Sequence, residues 1–139
     1  MLDIRSVSSS YGDAQILREV SLTVPEGTVV GLLGRNGTGK TTLIRSIMQA
    51  RPPQVTSGSI QWRGQELCGL TPDQVAMLGI GLVPQGRRLF ASLTVREHLD
   101  IVPKRPSASG RAPWTIERAY ELFPRLGERM ENGGDQLSG

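Results

Sequence analysis

Cysteine occurs once in these 139 residues, as Cys68, so no intrachain disulfide can form and a reducing compartment is expected. No metal-ligand companion stands near it, which leaves a small packed residue as its expected role. Long apolar runs are missing too: none approaches the roughly 20 residues that a membrane-spanning helix requires. The opening MLDIRSVSSSYG has neither the basic start nor the apolar centre of a secretory leader. Charge of one sign does not gather anywhere. The net charge is +3 without a block of like charge, whereas a binder of phosphate backbones concentrates Lys and Arg on one face. Internal repeats and low-complexity tracts are also absent. These gaps set the expectation of a soluble, cytoplasmic product with no nucleic-acid partner. The length fits one ordinary domain, and a hydrophobic share of 37% is low but sufficient for a core.

What is present is a strand–loop–helix pattern. LDIRSV and REVSLTV (residues 18–24) read as β structure around a Tyr11-Gly12 turn. VVGLL (29–33) is a short apolar run of the kind buried on both faces of a parallel sheet. A glycine-rich loop follows. TTLIRSIMQA then sets Leu43, Ile44, Ile47 and Met48 at helical spacing, with Leu43, Ile47 and Met48 expected in the core and Arg51-Pro52-Pro53 as the stop. SGSIQWRG (57–64) predicts a further strand. Thr71, Pro72 and Gln74 announce a helix ending near Gly79, because Thr suits the N-cap, Pro the first turn and Gln the capping box. IGLV (80–83) is a second candidate buried strand. Thr94 and Glu97 open another helix running to about Val102, residues 103–113 read as a connector, and a last helix is expected over roughly 116–122. The pattern implies an α/β core with a parallel sheet, preceded by a smaller β layer.

The chemistry concentrates in GRNGTGKT, which matches G-x-x-x-x-G-K-[ST] from Gly34 to Thr41. At ordinary glycine usage a chance match in such a chain has odds on the order of one in a few hundred. The apolar run before it and the amphipathic run after it lower them further. Gly34, Gly37 and Gly39 let backbone N–H groups converge on phosphate oxygens, and the new helix adds the positive end of its dipole. Lys40 brings a point charge to the β and γ phosphates, and the Thr41 hydroxyl can join a Mg²⁺ shell. The competing reading is a glycine-rich surface turn before an ordinary helix. Motif and context together favour nucleotide.

Asn36 before Gly37 and the doubled Thr41-Thr42 make this loop resemble that of the ATP-binding cassette (ABC) ATPases. By that resemblance Gly34, Arg35, Asn36, Gly37, Thr38, Gly39, Lys40, Thr41 and Thr42 form the nucleotide-binding segment. Tyr11, in SYG, matches the aromatic that stacks on adenine, although a lone Tyr by a turn is more often a core or edge residue. Gln85, in VPQG, lies just past a candidate strand, where open parallel sheets bind ligands. Its carbonyl could reach Mg²⁺ or orient a water, while the plainer reading is a solvated loop amide. Leu137-Ser138-Gly139 resembles the first three residues of the LSGGQ or LSGGE signature, whose Ser138 and Gly139 would contact the ATP of an opposing subunit. GIGLVPQGRRLFASLTVREHL (79–99) and AYELFPRLGER (119–129) are similar to ATP-binding subunits of bacterial branched-chain amino acid importers, with urea and amide importers close by.

The resemblance implies a P-loop NTPase core with an N-terminal antiparallel β subdomain and the start of a helical subdomain, incomplete at its C-terminus. The β subdomain and core would span about 1–86 and the helical subdomain about 87–139. It implies ATP and Mg²⁺, with Thr41 and Gln85 as metal ligands. The partners it implies are a second ABC ATPase subunit (identical or not), transmembrane permease subunits and, indirectly, a solute-binding protein. The place would be cytoplasmic, on the inner face of the cell membrane. The catalytic Glu, the Mg²⁺-linked Asp and the switch His of the family follow the signature, so no general base is expected here and His98 is read as solvent- or partner-facing. The missing strand would leave an apolar sheet edge and marginal stability. A nucleotide-binding remnant without hydrolysis is therefore the alternative to a working importer ATPase. An ABC ATPase of DNA repair or translation fits less well, since there is one Cys and no second cassette. A GTPase fits least, for want of an N-K-x-D stretch.

Overall fold

A computed structural model describes residues 1–86, 88–102 and 114–137 of the chain. They divide into two units, residues 1–82 and 83–139. The first is a four-stranded sheet in the order β2-β1-β3-β4, every pair antiparallel, with two helices. Strand β1 (Leu2–Tyr11) turns through Gly12, at φ 57°, into β2 (Ala14–Val24). It pairs on its other side with β3 (Gln54–Trp62), which continues into the two-residue β4 (Gln65–Glu66).

Register explains which β1 residues reach the core. Ile4 and Val7 are both fully buried although three positions apart, which regular alternation forbids. A bulge lies between them against both neighbouring strands, with Ser6 at φ 47°, and the extra residue returns Val7 to the inner face. The serines beyond it satisfy the displaced backbone: Ser8 Oγ accepts from the Glu19 N–H at 3.1 Å, and its carbonyl accepts from Thr56 Oγ1 at 3.2 Å. Buried Ser9 shares a hydrogen bond with Ser46 at 2.8 Å. Ser46 belongs to helix α1 (Lys40–Ile47), which adds Leu43, Ile47 and adjoining Met48 to a core of Ile4, Val7, Leu17 and Ile60. Those three α1-side residues are buried as their spacing predicts. Helix α2 (Pro72–Met77) starts at Thr71, whose N–H donates to Gln74 Oε1 at 2.9 Å, and contributes Val75.

Two expected strands are not strands. Residues 29–33 and 80–83 are irregular, with Val29 98%, Leu33 93% and Val83 94% exposed. An apolar run forms a strand only if a neighbour takes up its N–H and C=O groups. Among the described residues the ladder is completed by β1 to β4, and neither run lies in it. The parallel sheet expected from the sequence is accordingly not seen among them.

The second unit is helical: α3 (Val95–Asp100), α4 (Ile116–Leu122) and α5 (Pro124–Glu128), with a 3-10 turn at Gly134–Gln136. Thr94 caps α3 by accepting from the Glu97 N–H at 3.2 Å, while the Glu97 carboxylate accepts from the Thr94 N–H at 2.7 Å. Thr115 caps α4 in the same way, accepting from the Arg118 N–H at 3.2 Å. Helix α3 stops two residues before the expected Val102, and the expected connector 103–113 lies outside the described residues. The GG of the closing GGDQLSG is no loose tail. Gly133 bridges Thr94, and the Gly134 N–H donates to the Leu93 carbonyl at 2.9 Å. No helix among the described residues is long and apolar enough to cross a membrane.

Cys68 is half-buried and free, and burial together with the Glu66 carboxylate pushes its thiol up to about 11, so it is inert as a nucleophile. Burial raises the pKa of Glu66 itself, but hydrogen bonds from the Ser59 hydroxyl and the Cys68 and Ile60 N–H groups outweigh it and hold the carboxyl at about 2. The folded value lies below the ordinary 4.5, so this stabilisation is complete above that pH and is lost as pH falls toward 2. Glu66→Gln should lower the unfolding midpoint at pH 7 by a few degrees, and the gap to wild type should narrow steadily between pH 4.5 and pH 2. A gap independent of pH in thermal scans would count against the charged role.

Candidate nucleotide site

The loop before α1 is shaped by two left-handed glycines. Gly37 has φ 82° and Gly39, the residue preceding α1, has φ 91°. Gly39 is also required by packing, because a Cβ there would sit 2.8 Å from Leu17 Cδ2 of β2. The hairpin therefore seats the loop directly. Thr38 Oγ1 donates to the Arg35 carbonyl at 2.8 Å and tightens the turn. Lys40 Nζ donates to the Gly34 carbonyl at 2.7 Å and the Arg35 carbonyl at 2.6 Å, which lays the ammonium back over the loop.

No side chain caps α1 and no acid occupies its first turn. The N–H groups there are those a helix leaves unpaired, at the positive end of its dipole. From Gly27 to Gln65 the sequence contains Arg35, Lys40, Arg45, Arg51 and Arg63 and no Asp or Glu. Such a loop accepts an anion with several oxygens, and the donors present fit a phosphate chain. Thr41, second in the helix, is exposed and offers a hydroxyl for a divalent ion beside that chain. Thr42, one residue on, is buried at 6% exposure and faces the core.

Tyr11 closes β1 opposite Ala14 and is 37% exposed, two residues along β2 from the Ile16-Leu17 pair that meets Gly39. Tyr11 and Gly34–Thr42 thus share the first unit. Gln85 belongs to the second unit, where it is exposed between Pro84 and the left-handed Gly86. Ser138 and Gly139 lie outside the described residues. Among the described residues no group of three His, Cys, Asp or Glu is placed to hold a metal ion.

Two features escaped the sequence. One is a cavity of about 680 Å³ in the second unit, lined by Pro84, Arg88, Leu89, Leu126, Arg129 and Leu137 among others. It arises from segments far apart in sequence, so no local pattern announces it. The other is His98, which is not simply solvent- or partner-facing. Its ring stacks on Phe90 at 5.9 Å between centroids and both its nitrogens are engaged.

The loop pattern and the fold are those of the phosphate-loop class. The family model described as ABC transporter matches residues 17–139, and the chain belongs to that family. It is 40% identical over 139 residues to the high-affinity branched-chain amino acid transport ATP-binding protein BraG of Pseudomonas aeruginosa, covering all of this chain and 58% of that one. A probable branched-chain amino acid transport ATP-binding protein LivF of Archaeoglobus fulgidus is 32% identical over the same length, again with 58% of it covered. Relatives named for methionine import and Nod factor export match as well. A solved ATP-binding subunit of an ABC transporter superposes with a TM-score of 0.75 at 26% identity, over 99% of this chain and 56% of the other. The chain thus spans about 40–58% of the length of these relatives.

Proposed function

We propose that the chain binds ATP with Mg²⁺ through Gly34–Thr41, as part of an ABC importer subunit that couples nucleotide binding and hydrolysis to uptake of branched-chain amino acids or related solutes. The observation that carries it is the Lys40 ammonium held over a loop of left-handed glycines, at an uncapped helix start free of acids. The roles follow from chemistry: loop N–H groups hold phosphate oxygens, Lys40 balances charge on the β and γ phosphates, and Thr41 shares the metal. Tyr11 would stack on the base, and Gln85 would position the metal or a water. Ser138 and Gly139 would meet the ATP of a second such subunit. The relatives' names support the solute class, and those named for methionine and Nod factor leave a broader range of cargo open.

A second reading, nucleotide binding without turnover by these residues alone, is favoured by the loop's lack of any carboxylate to polarise water. Measuring binding and phosphate release separately on the 139-residue chain distinguishes the two. The importer reading predicts saturable, Mg²⁺-dependent ATP binding, and no binding of ATP at millimolar concentration would overturn both.

Location at the inner membrane face would follow from docking on permease subunits. The cavity beside Gln85 suits this, because its apolar floor carries Arg88 and Arg129, while Arg125 pairs with Glu128 at 3.1 Å. An amphipathic, acidic permease segment fits such a surface. Arg129→Glu should reduce co-purification with the permease about tenfold or more and leave ATP binding unchanged. Unaltered co-purification would remove the cavity as the docking place.

A further inference from the structure

His98 sits in a hydrogen-bonding frame that admits one form of the ring. The backbone N–H of Phe90 points at Nε2 from 2.9 Å, and the carbonyl of Thr94 lies 2.8 Å from Nδ1. An N–H can only donate and a carbonyl can only accept, so Nε2 must offer its lone pair and Nδ1 must carry the hydrogen. The ring is held at Thr94, the residue that caps α3, and reaches out to the segment that follows Gln85. That segment turns at Phe90–Leu93, where the Leu93 N–H donates to the Phe90 carbonyl at 3.1 Å. Gly134 approaches from the other side so closely that a Cβ on it would stand 2.6 Å from the Phe90 carbonyl oxygen. The Phe90 ring itself is 60% exposed, so its stack on the imidazole is a surface contact.

We infer that His98 is a positioning residue: in its neutral Nδ1–H form it clasps Phe90 to helix α3, and protonation opens the clasp. An imidazolium carries hydrogens on both nitrogens, so Nε2–H would then face the Phe90 N–H with no acceptor between them. Stacking tolerates a charged ring, so acid breaks the backbone bond first. The charged groups on the elements around the clasp are Arg96, Glu97 and Asp100 on α3, Arg88 on the loop, Glu131 and Asp135 on the closing segment, and Glu117, Arg118 and Glu121 on α4. The Glu97 carboxylate is committed to the Thr94 N–H and hydroxyl. Phe90 is therefore tied to α3 while the ring is neutral and released when it is protonated, whatever nucleotide the first unit binds.

The test is amide hydrogen exchange of the full chain, corrected for the intrinsic pH dependence of exchange. Protection of the Phe90 amide should fall about tenfold or more between pH 7.5 and pH 5, while the His98 and Ile101 amides of α3 keep theirs. His98→Gln, whose carbonyl accepts at any pH, should protect Phe90 equally at both values. His98→Phe keeps an aromatic face without an acceptor and should leave Phe90 unprotected at both. Wild-type protection that ignores pH, or a Gln variant as pH-sensitive as wild type, overturns the inference. Should the Phe variant not fold, ¹⁵N shifts of the wild-type ring decide: a hydrogen on Nδ1 at pH 7.5 supports the clasp, and one on Nε2 refutes it.

Discussion

Lys40→Ala should weaken ATP binding roughly a hundredfold while changing the stability of the first unit by less than about 1 kcal/mol. The ammonium lies over the loop, donating to the Gly34 and Arg35 carbonyls at 2.7 and 2.6 Å. A phosphate chain seated on the loop would take up those donors as charge-assisted bonds, each about 1.5–3 kcal/mol. One or two such bonds account for a hundredfold, since each 1.4 kcal/mol is about tenfold in affinity. Stability should scarcely respond, because the Arg35 carbonyl keeps the Thr38 hydroxyl at 2.8 Å and the Thr38 N–H at 3.4 Å. Lys40→Arg should rescue little. The guanidinium is planar and larger, and cannot occupy the place of a compact point charge. Thr41→Ala makes a useful contrast, as it should lower the Mg²⁺ dependence of binding more than binding itself. Isothermal titration with ATP, with and without Mg²⁺, reads all of these. A Lys40→Ala affinity within threefold of wild type would show that the phosphates lie elsewhere.

How much of this was legible in the chain divides along a physical line. Features fixed by neighbours in sequence were readable: the capping boxes at Thr71 and Thr94, the helix at 116–122, and the phosphate-loop spacing depend on residues within a turn or two. Features that need a distant partner were not. Residues 29–33 and 80–83 have the length and composition of buried strands, but composition cannot supply a ladder. The neighbours of His98 in sequence give it no task. Its partners are the carbonyl one turn back and an amide eight residues earlier. The bulge at Ser6 was equally hidden, since the serines around it read as polar filler until register gives each a backbone group to satisfy. For the candidate site, the loop residues stand out by pattern, whereas the seating of Gly39 on Leu17 requires the folded hairpin.

That same bulge carries the largest stability effect expected of a single methyl group. Gly58 stands across from Ser6 with φ 89°, and a Cβ on it would lie 2.5 Å from the Ser6 carbonyl oxygen, 2.6 Å from that of Arg5 and 2.7 Å from the Ser6 carbonyl carbon. These are backbone atoms of β1, the strand paired on both sides, so no rotamer change relieves the contact. A left-handed non-glycine costs about 1–2 kcal/mol, and forced overpacking about 1–3 kcal/mol more. Gly58→Ala should therefore cost roughly 2–5 kcal/mol. A unit of 82 residues has only about 4–12 kcal/mol in all. Gly64→Ala separates the two causes. Gly64 has nearly the same backbone, at φ 84°, but its Cβ would meet nothing within 4 Å, so only the conformational cost of about 1–2 kcal/mol remains. Urea unfolding followed by the fluorescence of Trp62 reports on the strand itself, which ends there beside Leu2. If the two alanine variants unfold at the same urea concentration, β1 yields at the bulge more easily than its hydrogen bonds imply. If Gly58→Ala alone unfolds early, it should also weaken ATP binding, because the hairpin that seats Gly39 on Leu17 is built on that strand.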